Sequence, residues 1–508
     1  MTGIRCSLTL AVSAVALLVV APIAGTADDR TPRTELPSNA GAAPAPATPE
    51  LNGGTNADFS ELIDLIQAQT GDDEDWEQFG GDGTINSFES GIRVDATGLL
   101  VRARKLDQRR ELSELQQIDR PADLSAALQQ PTDLRVVSLR DIEAIVAASI
   151  AAERPVPAAA RYLGGLTRVQ YVFAQDGDIC LAGPAEGWSY DKAGRAIGTA
   201  SGRPVLHLDD LVVVLRSLDR AGQFGCSIDP RQENIRAVQN VIASTGGRSL
   251  SPAGTRAWTN RLEDALGRQD VSVHGVPADS RVARVMVEAD YRMKLIGAGE
   301  FDAVPSIPSY FDLLAAHPEH IGGSFRGLRW WLTLDVDAIA ADESGRAFAI
   351  DNCSVLCRSE NQLLQADGQR VGTGTAEPMN ELFAANFTEH YAELAATQPI
   401  FAELQSVFDL SLVAAIIDRE QLDLAAGFDR GCLASGGAYQ TARYPVAREV
   451  ESVVAHRVYP GGRVVVQAAG GVDVPVASLA TDEGKRTVKS LDASVQPVDR
   501  KAFFSTAK

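Results

Sequence analysis

The chain has 508 residues, is 45% apolar and carries a formal net charge of −20. That length accommodates roughly two to four domains with a substantial core. The acidic balance, with no Lys/Arg run, lacks the basic footprint of a nucleic-acid binder, so no nucleic acid is expected as a partner.

Residues 1–27 read as a signal peptide. Arg5 supplies a short positive region, Leu8 to Val20 is an uncharged apolar run, and "AGTADD" follows. Cleavage after Ala27 places Gly25 and Ala27 where small side chains are required. The expected protein is exported, periplasmic or extracellular. No later unbroken apolar run approaches the ~18–20 residues of a membrane helix, so no transmembrane segment is expected after cleavage. Residues 28–54, with "TELPSNAGAAPAPATPELNGG", read as a flexible Pro/Ala-rich linker.

Residues 55–121 read as a small α+β module. "FSELIDLIQAQT" is helical, and "GIRVDATGLLVRARKL" alternates like a hairpin with a turn near Ala96–Gly98. Within it, "QFGGDGTINSFE" (78–89) matches an EF-hand loop at its fifth to ninth and twelfth positions. Gln78 and Gly80 stand where the first and third carboxylates are needed, so the glycines are assigned to a turn instead of to calcium.

An α/β core domain is expected over 132–328. "SLRDIEAIVAASIAAERP" begins at Ser138, with Asp141 three residues on as in a capping box. Leu139, Ile142, Ile145, Val146 and Ile150 form its buried stripe. "RVQYVFAQDGDICLAGP" is a hairpin, "LHLDDLVVVLRSL" a helix, and "GCSIDPRQENIRAVQNVIAS" a strand, a proline break and a helix. "AGTRAWTNRLEDALG" is helical and "VSVHGVP" extended. Hairpins and then two helices are expected over 329–420, with turns near Glu343–Arg346 and a break at Gln398-Pro399. Strand pairs follow in the tail, 421–508. The expected fold is therefore α+β: several modules, a mixed sheet with packed helices, and strand-rich C-terminal segments.

Four stretches carry a resemblance: Gly165–Trp188, Gly202–Arg216, "GCSIDP" at Gly225–Pro230, and "GVPADSRVARVMVEADYRMKLIG" at Gly275–Gly297. The chain resembles, over roughly Ser138 to Arg419, a secreted family known mainly from planctomycete bacteria and catalogued as domain of unknown function number fifteen ninety-eight. "LIDLIQAQT…W…GGDGTI" is similar to a short leader module of planctomycete envelope proteins, some secretin-like. Neither resemblance implies an activity or catalytic residues.

The densest polar stretch is the helix expected over 279–297. Asp279 or Ser280 can cap it. Val282, Val285, Met286, Ala289, Met293 and Ile296 fall on its core side, while Arg281, Arg284, Glu288 and Arg292 share another. Glu288–Arg292 and Asp290–Lys294 are i,i+4 pairs, which favours a salt-bridged solvent face. Against that, Arg281 and Arg284 sit in the first turns, where positive charge opposes the helix dipole. They fit better beside carboxylates of the same chain or a bound anion. Arg281, Arg284, Glu288 and Tyr291 are the candidate ligand-binding residues.

Other candidates carry less. His317 and His320 flank Glu319 in a loop, not on the helix of a zinc peptidase, and no metal or cofactor is expected. Cys226 in "GCSIDP" has no visible base, and Glu186 in "LAGPAEGW" has no second carboxylate. His207 and His274 read as core or edge histidines. Of five mature cysteines, Cys353 and Cys357 would lie about 13 Å apart on one strand, too far for a disulfide. Buried thiols are expected for Cys180, Cys226, Cys353, Cys357 and Cys432, with Cys180–Cys226 the one pairing left open. Trp330 and Trp331 are both assigned to the core.

The expectation is an exported envelope protein with a non-catalytic structural or interaction role and an envelope protein as partner. The alternatives are a hydrolase or a small-anion binder at the start of the 279–297 helix. The sequence does not define oligomeric state.

Overall fold

The computed structural model describes residues 84–88, 91–95 and 124–503, the last with breaks at 176, 192, 219–221, 246–251, 322–324, 365–369, 460–461, 480–484, 489–497 and 499. The expected signal peptide, linker and most of the 55–121 module lie outside the described residues. The chain divides into two compact units, 1–103 and 104–508.

In the first unit, β1 (Thr84–Phe88) and β2 (Gly91–Asp95) form an antiparallel hairpin in which Phe88 pairs with Gly91. The connection between them is at residues 89–90; the turn expected near 96–98 lies outside the described residues. Residues 84–88 of the calcium-like loop are therefore strand.

The described part of the second unit opens with α1 (Ala126–Gln129), β3 (Thr132–Ser138) and α2 (Leu139–Ala151). Ser138 caps α2 by accepting the Asp141 N–H at 3.0 Å, and donates to Asp178 at 2.6 Å. The expected stripe is buried except for Ile150, which lies in the last turn and is exposed. Next come α3 (Ala158–Arg161) and the hairpin β4 (Tyr171–Gln175) and β5 (Asp178–Ala185), as expected. The short β6 (Trp188–Tyr190) and β7 (Ala196–Gly198) pair with each other. Then follow α4 (Leu208–Leu218), β8 (Phe224–Pro230), α5 (Gln232–Thr245), α6 (Pro252–Leu266), β9 (Arg268–His274), α7 (Arg281–Gly297) and α8 (Tyr310–Ala316). A long hairpin, β10 (Phe325–Asp342) with β11 (Ala347–Leu364), turns where the sequence indicates, and β12 (Arg370–Gly372) folds back on β11. The two expected helices are three: α9 (Pro378–Glu389), α10 (Tyr391–Thr397) and α11 (Pro399–Arg419). The first two are separated at His390. The last elements are α12 (Leu422–Ala426), β13 (Glu449–Glu451), β14 (Val454–Tyr459), β15 (Gly462–Val474) and β16 (Lys485–Val488).

One mixed sheet organises the unit, in the order β13-β9-β8-β15-β10-β11-β4-β5-β3, with β12, β14 and β16 attached at its sides. Its pairings are antiparallel except for β10 with β15 and with β16. The fold is α+β. The boundaries read at 328/329 and 420/421 do not separate structures: β10 pairs with β15, β15 with β8, and β11 with β4. Strands from each segment complete their hydrogen bonding only against another segment, because unpaired backbone in a buried sheet is costly.

Alternation along β15 shows the two faces. Val464 and Val466 enter the main core, under α7 and α11, whereas Val465 joins Trp258, Leu262 and Val238 under α5 and α6. Trp330 is fully buried, with its indole N–H 2.7 Å from Asn380 Oδ1 and its ring 4.6 Å from Phe383. Trp331 is half-buried instead of core, since adjacent strand residues face opposite ways; the Arg329 guanidinium lies over its ring at 4.9 Å. Cys180, Cys226, Cys353, Cys357 and Cys432 are all free, so Cys180 and Cys226 are not bridged. Four are buried and Cys432 is half-buried.

At 21 residues, α11 is long and apolar enough to cross a membrane by length and composition, yet it is mostly buried within the unit. Reading unbroken apolar runs misses it, because Glu403 and Asp409 interrupt the run. Both carboxylates are buried.

The sheet needs a bare backbone at Gly470. A Cβ there would lie 1.7 Å from the Trp330 carbonyl oxygen. Gly470→Ala should destabilise the protein by about 3 kcal/mol, the upper range for overpacking. Urea unfolding checks this; an unchanged midpoint would contradict the register of β10 against β15.

Candidate functional site

Ser280 caps α7, its hydroxyl accepting the Ala283 N–H at 3.1 Å. The predicted apolar face (Val282, Val285, Met286, Ala289, Met293 and Ile296) is buried against β8, β15 and neighbouring helices. The polar residues divide among different surroundings.

Arg281 points inward and is buried. One guanidinium nitrogen pairs with Asp210 Oδ2 on α4. The other lies 2.5 Å from Glu403 Oε1 on α11. The remaining oxygens, Asp210 Oδ1 and Glu403 Oε2, are sealed from solvent and have no hydrogen-bond partner among the described residues. One cation between two carboxylates leaves an excess negative charge in the core, which a proton can neutralise. Burial pushes the Asp210 carboxyl up to about 6 against the pull of Arg281, with Asp209 and Glu403 adding to the rise. His207, one residue before α4, has its Nε2 sealed and meets the Tyr162 ring edge-on at 4.9 Å. Burial, then Arg281, Arg161 and Arg284, hold its imidazole well below the ordinary value, so it is neutral.

The second buried pair is Asp290 with Lys294. The Lys294 ammonium donates to Asp290 Oδ2 at 2.7 Å and to the Ile228 carbonyl of β8 at 3.3 Å; both side chains are fully buried. Burial raises the Asp290 carboxyl despite Lys294. The i,i+4 pair read as surface is thus internal.

Arg284, Glu288 and Arg292 do form a partly exposed ladder. Arg284 lies 4.0 Å and Arg292 3.2 Å from Glu288 carboxylate oxygens. The Arg284 guanidinium also stacks over Tyr444, and that of Arg292 over Phe301. Tyr291 is half-buried, and burial, then the nearby Glu451, raises its phenol. The four candidates therefore face three surroundings: Arg281 the interior, Arg284 and Glu288 the outer ladder, Tyr291 the end of the sheet near β13. Sequence reading singled out Arg281 but not its partners Asp210 and Glu403. The signal for these was a carboxylate inside an otherwise apolar helix.

The other sequence candidates are similarly occupied. Glu186 is buried and accepts the Ala200 and Ser201 N–H groups and the Ser201 hydroxyl, tying down the β6–β7 excursion. Cys226 is buried and burial raises its thiol, the opposite of nucleophile activation. His274 is exposed on β9. Half-exposed His317 and His320 both approach Glu319, at 3.5 and 3.9 Å. Among the described residues no group of three or more His, Cys, Asp or Glu has the arrangement of a metal site.

A family model described as "Protein of unknown function (DUF1598)" matches residues 226–310, from the middle of β8 to the start of α8. The matched segment contains α7 with Arg281, Asp290 and Lys294. No curated protein and no solved structure matches the chain.

Two outcomes follow from this geometry. Arg281→Ala strands two buried carboxylates and should cost about 3–5 kcal/mol, whereas Arg284→Ala, in a surface pair, should cost less than about 1 kcal/mol. Chemical denaturation of both variants checks the contrast; equal losses would place Arg281 at the surface. The Asp210 carboxyl titrates higher folded than unfolded, from about 3.8 to about 6. Its contribution to stability is full below pH 4 and is lost as pH rises through 6. Wild type should therefore lose stability relative to Asp210→Asn between pH 4 and pH 7. A stability gap that stays flat over that window would contradict a shared proton.

Proposed function

We propose that the protein is an exported component of a bacterial envelope, of planctomycete type, with a non-catalytic structural or protein-interaction role. Its N-terminal part is a signal peptide, a tether and a secretin-like leader module, and its partner is another envelope protein. One observation carries the non-catalytic reading: the charged residues of α7 are paired within the chain, Arg281 between buried Asp210 and Glu403, and Arg284 and Arg292 with Glu288 on the partly exposed side. An enzyme site needs polar groups that converge on a space open to substrate. The unmatched signal-like residues 1–27 carry the export reading.

The test uses the source organism. N-terminal sequencing of the protein from the envelope fraction should begin at Asp28, and in-cell cross-linking should give one reproducible envelope partner. That partner should persist in the variant Arg284→Ala/Glu288→Ala, whose fold is left intact. A chain that begins at Met1 in the cytosol would overturn export. Turnover of an ester, glycoside or phosphate substrate, abolished by the same double variant, would overturn the non-catalytic reading.

A further inference from the structure

Ahead of β13 runs a length of chain with no helix or strand, residues 440–447. Both of its ends are fixed. At one end the Tyr439 hydroxyl donates to Asp209 Oδ1 at 2.7 Å, its N–H donates to the Cys432 carbonyl at 3.0 Å, and its carbonyl accepts from Arg216 of α4 at 3.0 Å. At the other end the Arg448 carbonyl accepts the Val271 N–H of β9 at 2.8 Å, and Glu449 pairs with Arg231 and Arg268 at 2.8 and 2.6 Å. The stretch between is held at few points. Among the described residues it makes two hydrogen bonds: the Ala442 N–H to Asp209 Oδ2 at 3.2 Å, and the Tyr444 N–H to the Asp279 carbonyl at 2.7 Å. Arg443 also approaches Asp279, at 3.5 Å, with both side chains exposed. Gln440, Ala442, Pro445 and Ala447 are exposed as well, while Tyr444 and Val446 are half-buried.

These contacts lie at the Arg281 network. Asp209 immediately precedes Asp210 in α4, and Asp279 stands two residues before Arg281. The Arg284 guanidinium covers the Tyr444 ring at 5.7 Å, and the Tyr444 hydroxyl has no hydrogen-bond partner among the described residues. Burial raises the Tyr444 phenol and the charge of Arg281 opposes that rise, so the ring stands beside the buried guanidinium. Lifting residues 440–447 breaks two backbone hydrogen bonds and one stacking contact, and it leaves α4, α7 and β13 in place. A segment with so few buried contacts opens locally at far lower free energy than the strands of the sheet. Irregular connections carried on a rigid frame are also where functional movement concentrates.

We propose that residues 440–447 are a hinged strap over the Arg281 network, fixed at Tyr439 and Arg448 and latched in between on Asp209 and Asp279. Closed, the strap keeps Arg281 and its two carboxylates dry. Open, it exposes the Arg281 guanidinium and the start of α7 to solvent while the sheet and the helices stay folded. The charges of α7 are then internal in one state and accessible in the other. The inference rests on the Arg281 geometry and does not depend on the envelope reading.

The test is native-state trypsin digestion of the full chain, read as the rate at which a new N-terminus appears at Tyr444. Phenylglyoxal labelling of Arg281, read by peptide mass mapping, reports access to the network. In wild type, cleavage after Arg443 should proceed at a rate that low urea concentrations leave unchanged, because local opening exposes little surface. Asp209→Ala, which removes the latch for Ala442, should raise both cleavage and Arg281 labelling at least about tenfold, the effect of losing a hydrogen bond to a charged group. Tyr444→Ala, read by labelling alone, should also raise it. Circular dichroism verifies that both variants fold, and the urea dependence in wild type decides the matter without them. Cleavage that rises with urea in step with global unfolding overturns the proposal. So does Arg281 labelling that stays at the wild-type level in a folded variant.

Discussion

The second unit turns on one buried cation shared by two carboxylates. Arg281 begins α7, Asp210 lies in the first turn of α4, and Glu403 lies near the start of α11. The three come from segments 71 and 122 residues away from Arg281, so their contact fixes the long-range arrangement of three helices. Ion pairs of this kind add little net stability over apolar packing, because desolvation offsets attraction. They exact a large loss when broken, and so they specify which helix meets which. Two features make the arrangement tolerable at the start of α7. The carboxylates offset the unfavourable position of an arginine near the positive helix end, and a proton relieves the excess negative charge.

The same logic recurs along α11. By composition this helix could lie in a lipid bilayer, but its two buried carboxylates each meet an arginine from elsewhere in the chain: Glu403 meets Arg281 and Asp409 meets Arg168. These pairs tie α11 to α7 and to the segment leading into β4. Within α7, Lys294 reaches from Asp290 to the β8 carbonyl of Ile228, joining helix and sheet. Directed polar contacts thus set the positions of helices whose apolar faces would accept several packings.

Much of the framework was legible because local signals sufficed. The 175–178 turn sits between β-rich runs, Ser280 precedes an amphipathic period, and the Glu343–Arg346 turn separates two long strands. Each depends on residues a few positions apart. The sheet order was not legible: β8 lies between β9 and β15, and β15 comes more than 200 residues later, which no periodicity encodes. The burial of Asp290 and Lys294 was hidden for a related reason. Their i,i+4 spacing has the same appearance on a wet face as beneath a sheet, and only the tertiary packing decides. For Arg281 the sequence did hold a clue, an arginine placed against the helix dipole. Its complement was a pair of acids in apolar helices, and pairing the two requires the fold.

The central claim is that Arg281 and Glu403 are coupled across the core. A double-mutant cycle on unfolding free energy, using Arg281→Met, Glu403→Met and the double variant, measures that coupling directly. A coupling of at least about 2 kcal/mol is predicted, with the double variant more stable than either single variant, because it leaves no stranded charge. Additive losses would contradict the account and return the charges of α7 to the surface, where they would again be candidates for a ligand site.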